Sequence, residues 1–427
     1  MTIMTVATFF LANVHILSSL VYFLLVSVKG ALSLESSVIH ALPSDCNMKI
    51  CASMIVKDEA SNLERLFFTS ARYLHGMIVA DTGSSDNTTQ VLTALTEKYK
   101  LEHRILQHKW VNFGHNRNAV LQAAYTAVKD GLDCTHIISL DADEDLVVEN
   151  PQRLCFDTDV RTTYIVERKY FQLRLSAFLI AVHDRWAWRG VVHEWLQRSN
   201  AQQDVLPMQN LESSALFIQT HPGKGARGRE DNEKKFLGDA NLLLEELISD
   251  PRDHRSWYYR CQSLKDAGHL VEALPVCAYR ARLGGWAEEA FMAAMQTARI
   301  KQALNDSSNE IERAYMFAYH LDARRAEPFF ELSDVYYHTG EWRGCYETAM
   351  RAIALNNSES FLFRSESAYN WEVLDKAAVC AFQMGAFDDC ISLSKRELLF
   401  PSLDSGNRQR IENNIGHCER QKIISQR

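Results

Sequence analysis

The chain has 427 residues, 47% hydrophobic and 23% charged, which is ordinary globular material and more than one domain usually holds. A formal net charge of -8 argues against a general nucleic-acid binder, because no excess of Lys and Arg offsets phosphate repulsion. Ten cysteines occur without a CxxC pair, which signals neither a zinc site nor a dense disulfide framework. Cys261, Cys277, Cys345, Cys380 and Cys390 fall in helical patterns and read as small buried hydrophobes.

From the N-terminus, Val6 to Val28 is nearly uncharged and long enough to span a bilayer as a helix. Its most apolar part, Ile16 to Val26, also fits the apolar region of a cleaved signal peptide. The favoured reading is a single-pass membrane anchor over residues 1–32, with a polar stem over 33–48. Cleavage would instead leave a secreted or lumenal protein. No basic residue precedes the segment, so charge does not orient it. Asn87-Thr88-Thr89, Asn305-Asp306-Ser307 and Asn356-Asn357-Ser358 match the glycosylation acceptor pattern, but such triplets also arise by chance and assign no compartment.

Lys49 to Val56 reads as a strand ending in Lys57-Asp58-Glu59, followed by apolar residues at helical spacing (Leu63, Leu66, Phe67). Met77 to Ala80 is a second strand, running into the turn Asp81-Thr82-Gly83-Ser84-Ser85-Asp86 and a helix over Val91 to Tyr99. Arg104 to His108 suggests a third strand and Asn116 to Lys129 a helix. The next strand, from Ile137, breaks into the acids Asp141, Asp143, Glu144 and Asp145. This alternation predicts βαβ units and a mainly parallel sheet, whose carboxyl ends share the edge where open α/β sheets bind ligands. From about Asn232 strand patterns vanish. Tyr258 to Leu283, Phe329 to Leu355 and Ala377 to Leu393 each read as helix, glycine turn (Gly268, Gly340, Gly385) and helix, which resembles tetratricopeptide repeats.

Met54-Ile55-Val56-Lys57-Asp58-Glu59, the stretch Val79 to Thr88, and Leu140-Asp141-Ala142-Asp143-Glu144 together resemble the family 2 glycosyltransferases with the GT-A fold. The resemblance implies an α/β GT-A nucleotide-sugar-binding domain over 49–235, followed by an all-α tetratricopeptide-like repeat domain over 236–427. It also implies an inverting, metal-dependent glycosyltransferase. Such an enzyme would move a hexose-type sugar from a nucleoside-diphosphate sugar, usually UDP-linked, to a glycan or polypeptide acceptor.

By the same resemblance Asp81 would bind the base and Asp141 the ribose or sugar, with Lys57, Glu59 and Arg117 in the donor site. Asp143 would hold Mn2+ or Mg2+ against the diphosphate. Trp186, Trp188, His193 and Glu194 form a second dense patch. Glu194 is the candidate general base, His193 its companion, and the two indoles offer flat faces to a sugar or acceptor. His221, in the Gly-rich basic loop ending at Arg229, is a candidate third metal ligand. Each residue has a plainer reading: Asp81 as a turn cap, Arg117 as a salt bridge, the tryptophans as core, His221 as an unliganded loop residue. The rival for the whole chain is a catalytically inactive glycosyltransferase-like protein acting as a tetratricopeptide adaptor, binding a protein partner through its repeats.

Overall fold

The computed structural model describes residues 42–170, 173–199, 207–355 and 363–426. They divide into two units: residues up to 189 with 195–229 form one, and 190–194 with 230 onward form the other.

The first unit is built on β1 (Ile50–Val56), whose alternate residues face opposite sides of a sheet. Ile50, Ala52, Met54 and Val56 pack on one side with Leu63, Leu66 and Phe67 of α1 (Ala60–Ser70) and with Leu92 of α2 (Thr88–Lys98). Cys51 faces the other side, with Val120, Leu121 and Ala124 of α3 (Phe113–Lys129). β2 (Leu74–Asp81) and β4 (His136–Ser139) flank β1, and β3 (Glu102–Gln107) lies outside β2, all parallel.

Past β4 the sheet becomes mixed. β7 (Leu173–Ala181) runs antiparallel to both β4 and β6 (Tyr164–Tyr170). β11 (Leu216–Thr220) is parallel to β6 and antiparallel to β5 (Glu144–Val148). The strand order is β3-β2-β1-β4-β7-β6-β11-β5, with the short β10 (Gln209–Asn210) beside β6. β8 (Trp186–Arg189) and β9 (Trp195–Arg198) form a separate hairpin, and α4 (Pro151–Phe156) follows β5. Antiparallel pairings thus enter only past β4, where the sequence shows no strand pattern: β6 carries Glu167, Arg168 and Lys169 in a row, which hides it.

The second unit is all helix beyond residue 230. α5 (Asn232–Ser249) precedes α6 (His254–Asp266), α7 (Leu270–Arg280), α8 (Ala287–Ala303), α9 (Ser308–Leu321), α10 (Glu327–Thr339) and α11 (Trp342–Ala354). α12 (Trp371–Gln383), α13 (Phe387–Glu397) and α14 (Ser405–Ser425) complete it. Side chains of Asp253, Ser307, Asn370 and Asp404 accept amide hydrogen bonds at helix starts. Gly268, Gly340 and Gly385 take the left-handed backbone that turns each pair α6/α7, α10/α11 and α12/α13. The pair α8/α9 turns on Asn305 at φ 58 instead, so its repeat lacks the glycine that marks the others.

Buried alanines such as Ala273, Ala294, Ala298, Ala349 and Ala377 let neighbouring helices approach closely. One ion pair ties each first helix to the next. Arg255 of α6 meets Glu289 of α8 at 3.3 Å, and Arg299 of α8 meets Glu331 of α10 with Nε at 2.8 Å. Lys376 of α12 pairs with Asp334 of α10, and Arg410 of α14 with Asp375 of α12 at 2.9 Å. The helical repeat is thus a stack in which every pair leans on its neighbours.

All ten cysteines are in disulfides, which corrects the reading of Cys261, Cys277, Cys345, Cys380 and Cys390 as lone hydrophobes. Cys46–Cys155 and Cys51–Cys134 staple the sheet unit. Cys261–Cys277 joins α6 to α7, Cys345–Cys380 joins α11 to α12, and Cys390–Cys418 joins α13 to α14. Their Cα separations of 4.8 to 6.6 Å fall in the range disulfides require.

The N-terminal apolar segment lies outside the described residues. Among the described residues no helix is long and apolar enough to cross a membrane, which lends the expected single-pass membrane placement no support.

Candidate functional site

The carboxyl edge of the sheet gathers the acids that the strand pattern pointed to, and the structure gives each a distinct environment. Asp81, at the end of β2, is buried. Its Oδ1 accepts from the amides of Gly83 and Ser84 (3.1 and 2.9 Å) and from the Ser84 hydroxyl (2.8 Å). Its Oδ2 accepts from Thr89 Oγ1 at 2.8 Å and Gln107 Nε2 at 3.3 Å. Burial opposes ionisation here, but the donors from Ser84, Thr89 and Gln107 win and hold the carboxyl below its usual range. A carboxylate has about four lone-pair sites, so its turn leaves Asp81 no spare capacity for a base.

Arg117, projecting from α3, donates through one nitrogen to both oxygens of Asp141, at 2.8 and 3.0 Å. Burial pushes that carboxyl up, yet the charges of Arg117 and Arg168 outweigh it and keep Asp141 ionised at lower pH than usual. Trp188 lies with its ring 5.3 Å from the Arg117 guanidinium carbon, and its backbone is pinned by Asn118 on both sides. Trp186 is core: it is 4% exposed, packs on Phe178 at 5.2 Å, and donates its amide to the Tyr125 hydroxyl.

Glu144 is a functional candidate to which the resemblance gives no role. It is buried, ion-paired with Arg168 at 2.9 Å and bonded by Thr220 at 3.1 Å. Burial raises its carboxyl to about 7, against the pull of Arg168. Nothing in the local sequence pairs Glu144 with an arginine 24 positions away on another strand.

Glu59 and Asp143 differ from Asp141, Glu144 and Asp145: among the described residues neither is in an ion pair. Glu59 is bonded by the Ala226 amide at 2.7 Å and the Asn62 amide group at 2.6 Å. Burial raises Glu59, while Asp143 is raised by burial and then by the charge of Asp141. Both approach Gly225 of the basic loop. A Cβ there would stand 3.0 Å from Asp143 Oδ2 and 3.5 Å from Glu59 Oε1.

The metal pair expected from the sequence is not assembled. His221 points Nε2 at Asp145, 2.7 Å away, and meets Asp143 only through backbone, its amide donating to the Asp143 carbonyl at 2.8 Å. Asp145 also pairs with Arg65. Among the described residues no group of three or more His, Cys, Asp or Glu could hold a metal ion. Lys57 is exposed at the end of β1, beside Asp58.

His193 and Glu194 belong to the helical unit, not to the unit that carries the carboxylates. The His193 ring stacks on Tyr259 of α6, with centroids 4.0 Å apart and planes 13° apart. Arg255 donates to the His193 carbonyl at 3.2 Å. Val191 and Val192 of the same segment are buried. The residue expected to act as base for the sheet site is thus in a segment seated on helices.

No protein-family model and no curated protein match the chain. Solved structures similar to it include MamA, 16% identical over 40% of this chain and 92% of that one, with a TM-score of 0.32. MamA from Desulfovibrio magneticus RS-1 is 12% identical over 45% and 89%, at 0.30. A thermophilic TPR protein from Thermus thermophilus is 17% identical over 43% and 91%, at 0.27. The described residues form an α/β unit and a unit of stacked helix pairs. No family model supports the resemblance to family 2 glycosyltransferases, and it is corrected, together with the GT-A fold class and the transferase activity inferred from it.

Proposed function

We propose that the protein is an adaptor that binds a protein partner through its helical-repeat unit. The seat of Gly190–Glu194 carries this reading. These five residues are held by two buried valines, a ring stacked on Tyr259 and a backbone carbonyl bonded by Arg255. Grip on a backbone carbonyl and on one flat ring depends little on the other side chains. Stacked helix pairs offer such grips along an extended face.

The test is crosslinking of the full chain in an extract of its source cells, followed by mass spectrometry. The expected result is a stoichiometric protein partner whose crosslinks fall on α6 to α14. Crosslinks confined to residues 42–229, or no partner at all, would remove the reading.

A second reading concerns binding, without transfer, at Glu59 and Asp143. Two carboxyls raised by burial, and in no ion pair among the described residues, favour a divalent cation such as Mn2+ or Mg2+. Mg2+ in particular is commonly held by one or two carboxylates, with waters and ligand phosphates completing its shell. A nucleoside diphosphate, with or without a sugar, would supply those oxygens. A thermal-shift panel of nucleotides with and without Mn2+ tests this. A ligand at a hundred times its Kd stabilises by about 2.7 kcal/mol. That gain should vanish in Asp143→Ala, and a shift kept by the variant would refute the assignment.

A further inference from the structure

We propose that Asn87 is an acceptor for asparagine-linked glycosylation. Two independent observations converge on it. The first is the disulfide set: all ten cysteines are paired, two of the bonds closing sequence separations of 109 and 83 residues. Bonds of this kind form and persist under oxidising conditions, the same setting in which asparagine-linked glycans are attached to surface turns. The second is the geometry of the triplet Asn87-Thr88-Thr89.

Asn87 is the residue before α2, a position where an asparagine side chain ordinarily caps the helix. Here it makes no cap hydrogen bond. Asp86 takes that part instead, its Oδ1 accepting from the Thr88 amide at 2.9 Å. The Asn87 side chain is left exposed, in a turn whose neighbours Gly83, Ser85 and Asp86 are exposed as well. A bulky polar group on Nδ2 therefore displaces nothing packed. The hydroxyl two residues on is present and ordered, Thr89 Oγ1 donating to Asp81 Oδ2 at 2.8 Å. Asn305 is exposed too, but the middle residue of its triplet, Asp306, is tied to Lys301 at 2.7 Å. Asn356 lies outside the described residues.

The co-reactant is a polyprenyl-diphosphate oligosaccharide, and a separate host transferase performs the step. The Asn87 Nδ2–C1 bond forms as the C1–O bond to the diphosphate breaks. The amide nitrogen gives up one proton and the diphosphate leaves with the bonding pair, so no oxidant or reductant is needed.

The full chain expressed in insect cells, treated with peptide N-glycosidase in heavy-oxygen water and mapped by mass spectrometry, reads each site separately. Asn87 is expected to be converted to labelled aspartate in most molecules. Asn87→Gln should lose one glycan's mobility shift while keeping its melting temperature. Should that variant fail to fold, Thr89→Ser retains the acceptor pattern and the hydroxyl and should keep the glycan. An unlabelled Asn87 overturns the proposal, whether the cysteines of that sample are oxidised or free.

Discussion

Asp81 sits at the end of a strand with five donors aimed at its two oxygens, and its role follows from that count. Replacing it by Asn keeps the volume but removes the charge and turns one acceptor into a donor. The amides of Gly83 and Ser84, or the hydroxyl of Thr89, then lose their partner, at a cost of about 1–3 kcal/mol. Urea unfolding of Asp81→Asn at neutral pH should show a loss of that size. The pH dependence has a definite sign. The folded carboxyl titrates below the unfolded value of about 3.9, so its stabilisation is full above that pH and fades as pH falls through the folded value. The variant should therefore lose part of the wild-type decline below about pH 4, and an unchanged acid slope would contradict the assignment. A turn-capping role was legible in the residues Asp81 to Asp86 themselves. The pairings of Glu144 with Arg168 and of His221 with Asp145 were not, because they join positions far apart in the chain.

At the scale of elements, α13 carries an unusual group. Glu397 is fully buried, and neither carboxyl oxygen has a hydrogen-bond partner among the described residues. Asp375 of α12 and Arg410 of α14 face it with opposite effects. Burial dominates and lifts the carboxyl to about 8. A raised acid stabilises the fold in its neutral form, fully so below the unfolded value near 4.5. That contribution disappears as pH rises through about 8. The melting temperature should fall as pH rises from about 5 to about 8 and level off above that, and Glu397→Gln, neutral throughout, should flatten the fall. A variant that still declines as steeply would place the titration elsewhere. Helix pairs with glycine turns were readable because their signals are local: a period, a cap and a left-handed residue. The pair α8/α9, turned by Asn305, and the strands from β5 to β11 were not. Their identity comes from partners across the sheet and the stack, and from charges such as Arg168 that point into a paired site.

Across the whole molecule the disulfides were invisible in the spacing of cysteines, since connectivity is set by which helices and strands meet. Once paired, they suggest a ranking of stability. A crosslink restricts the unfolded chain more as the loop it closes lengthens. Cys46–Cys155 closes a separation of 109 residues and Cys261–Cys277 one of 16. The loop-entropy account gives about 4.7 kcal/mol for a loop near 100 residues and about 3 kcal/mol for one near 15. Because Cys51–Cys134 lies inside the loop that Cys46–Cys155 closes, replacing all four of these cysteines by serine should destabilise the sheet unit by more than replacing Cys261 and Cys277 destabilises the helical unit. Hydrogen exchange read by mass spectrometry across a urea series reports the two units separately and supplies both numbers from the full chain. Equal losses, or a larger one for the short loop, would locate the stabilisation in native contacts around the sulfurs instead of in the unfolded chain.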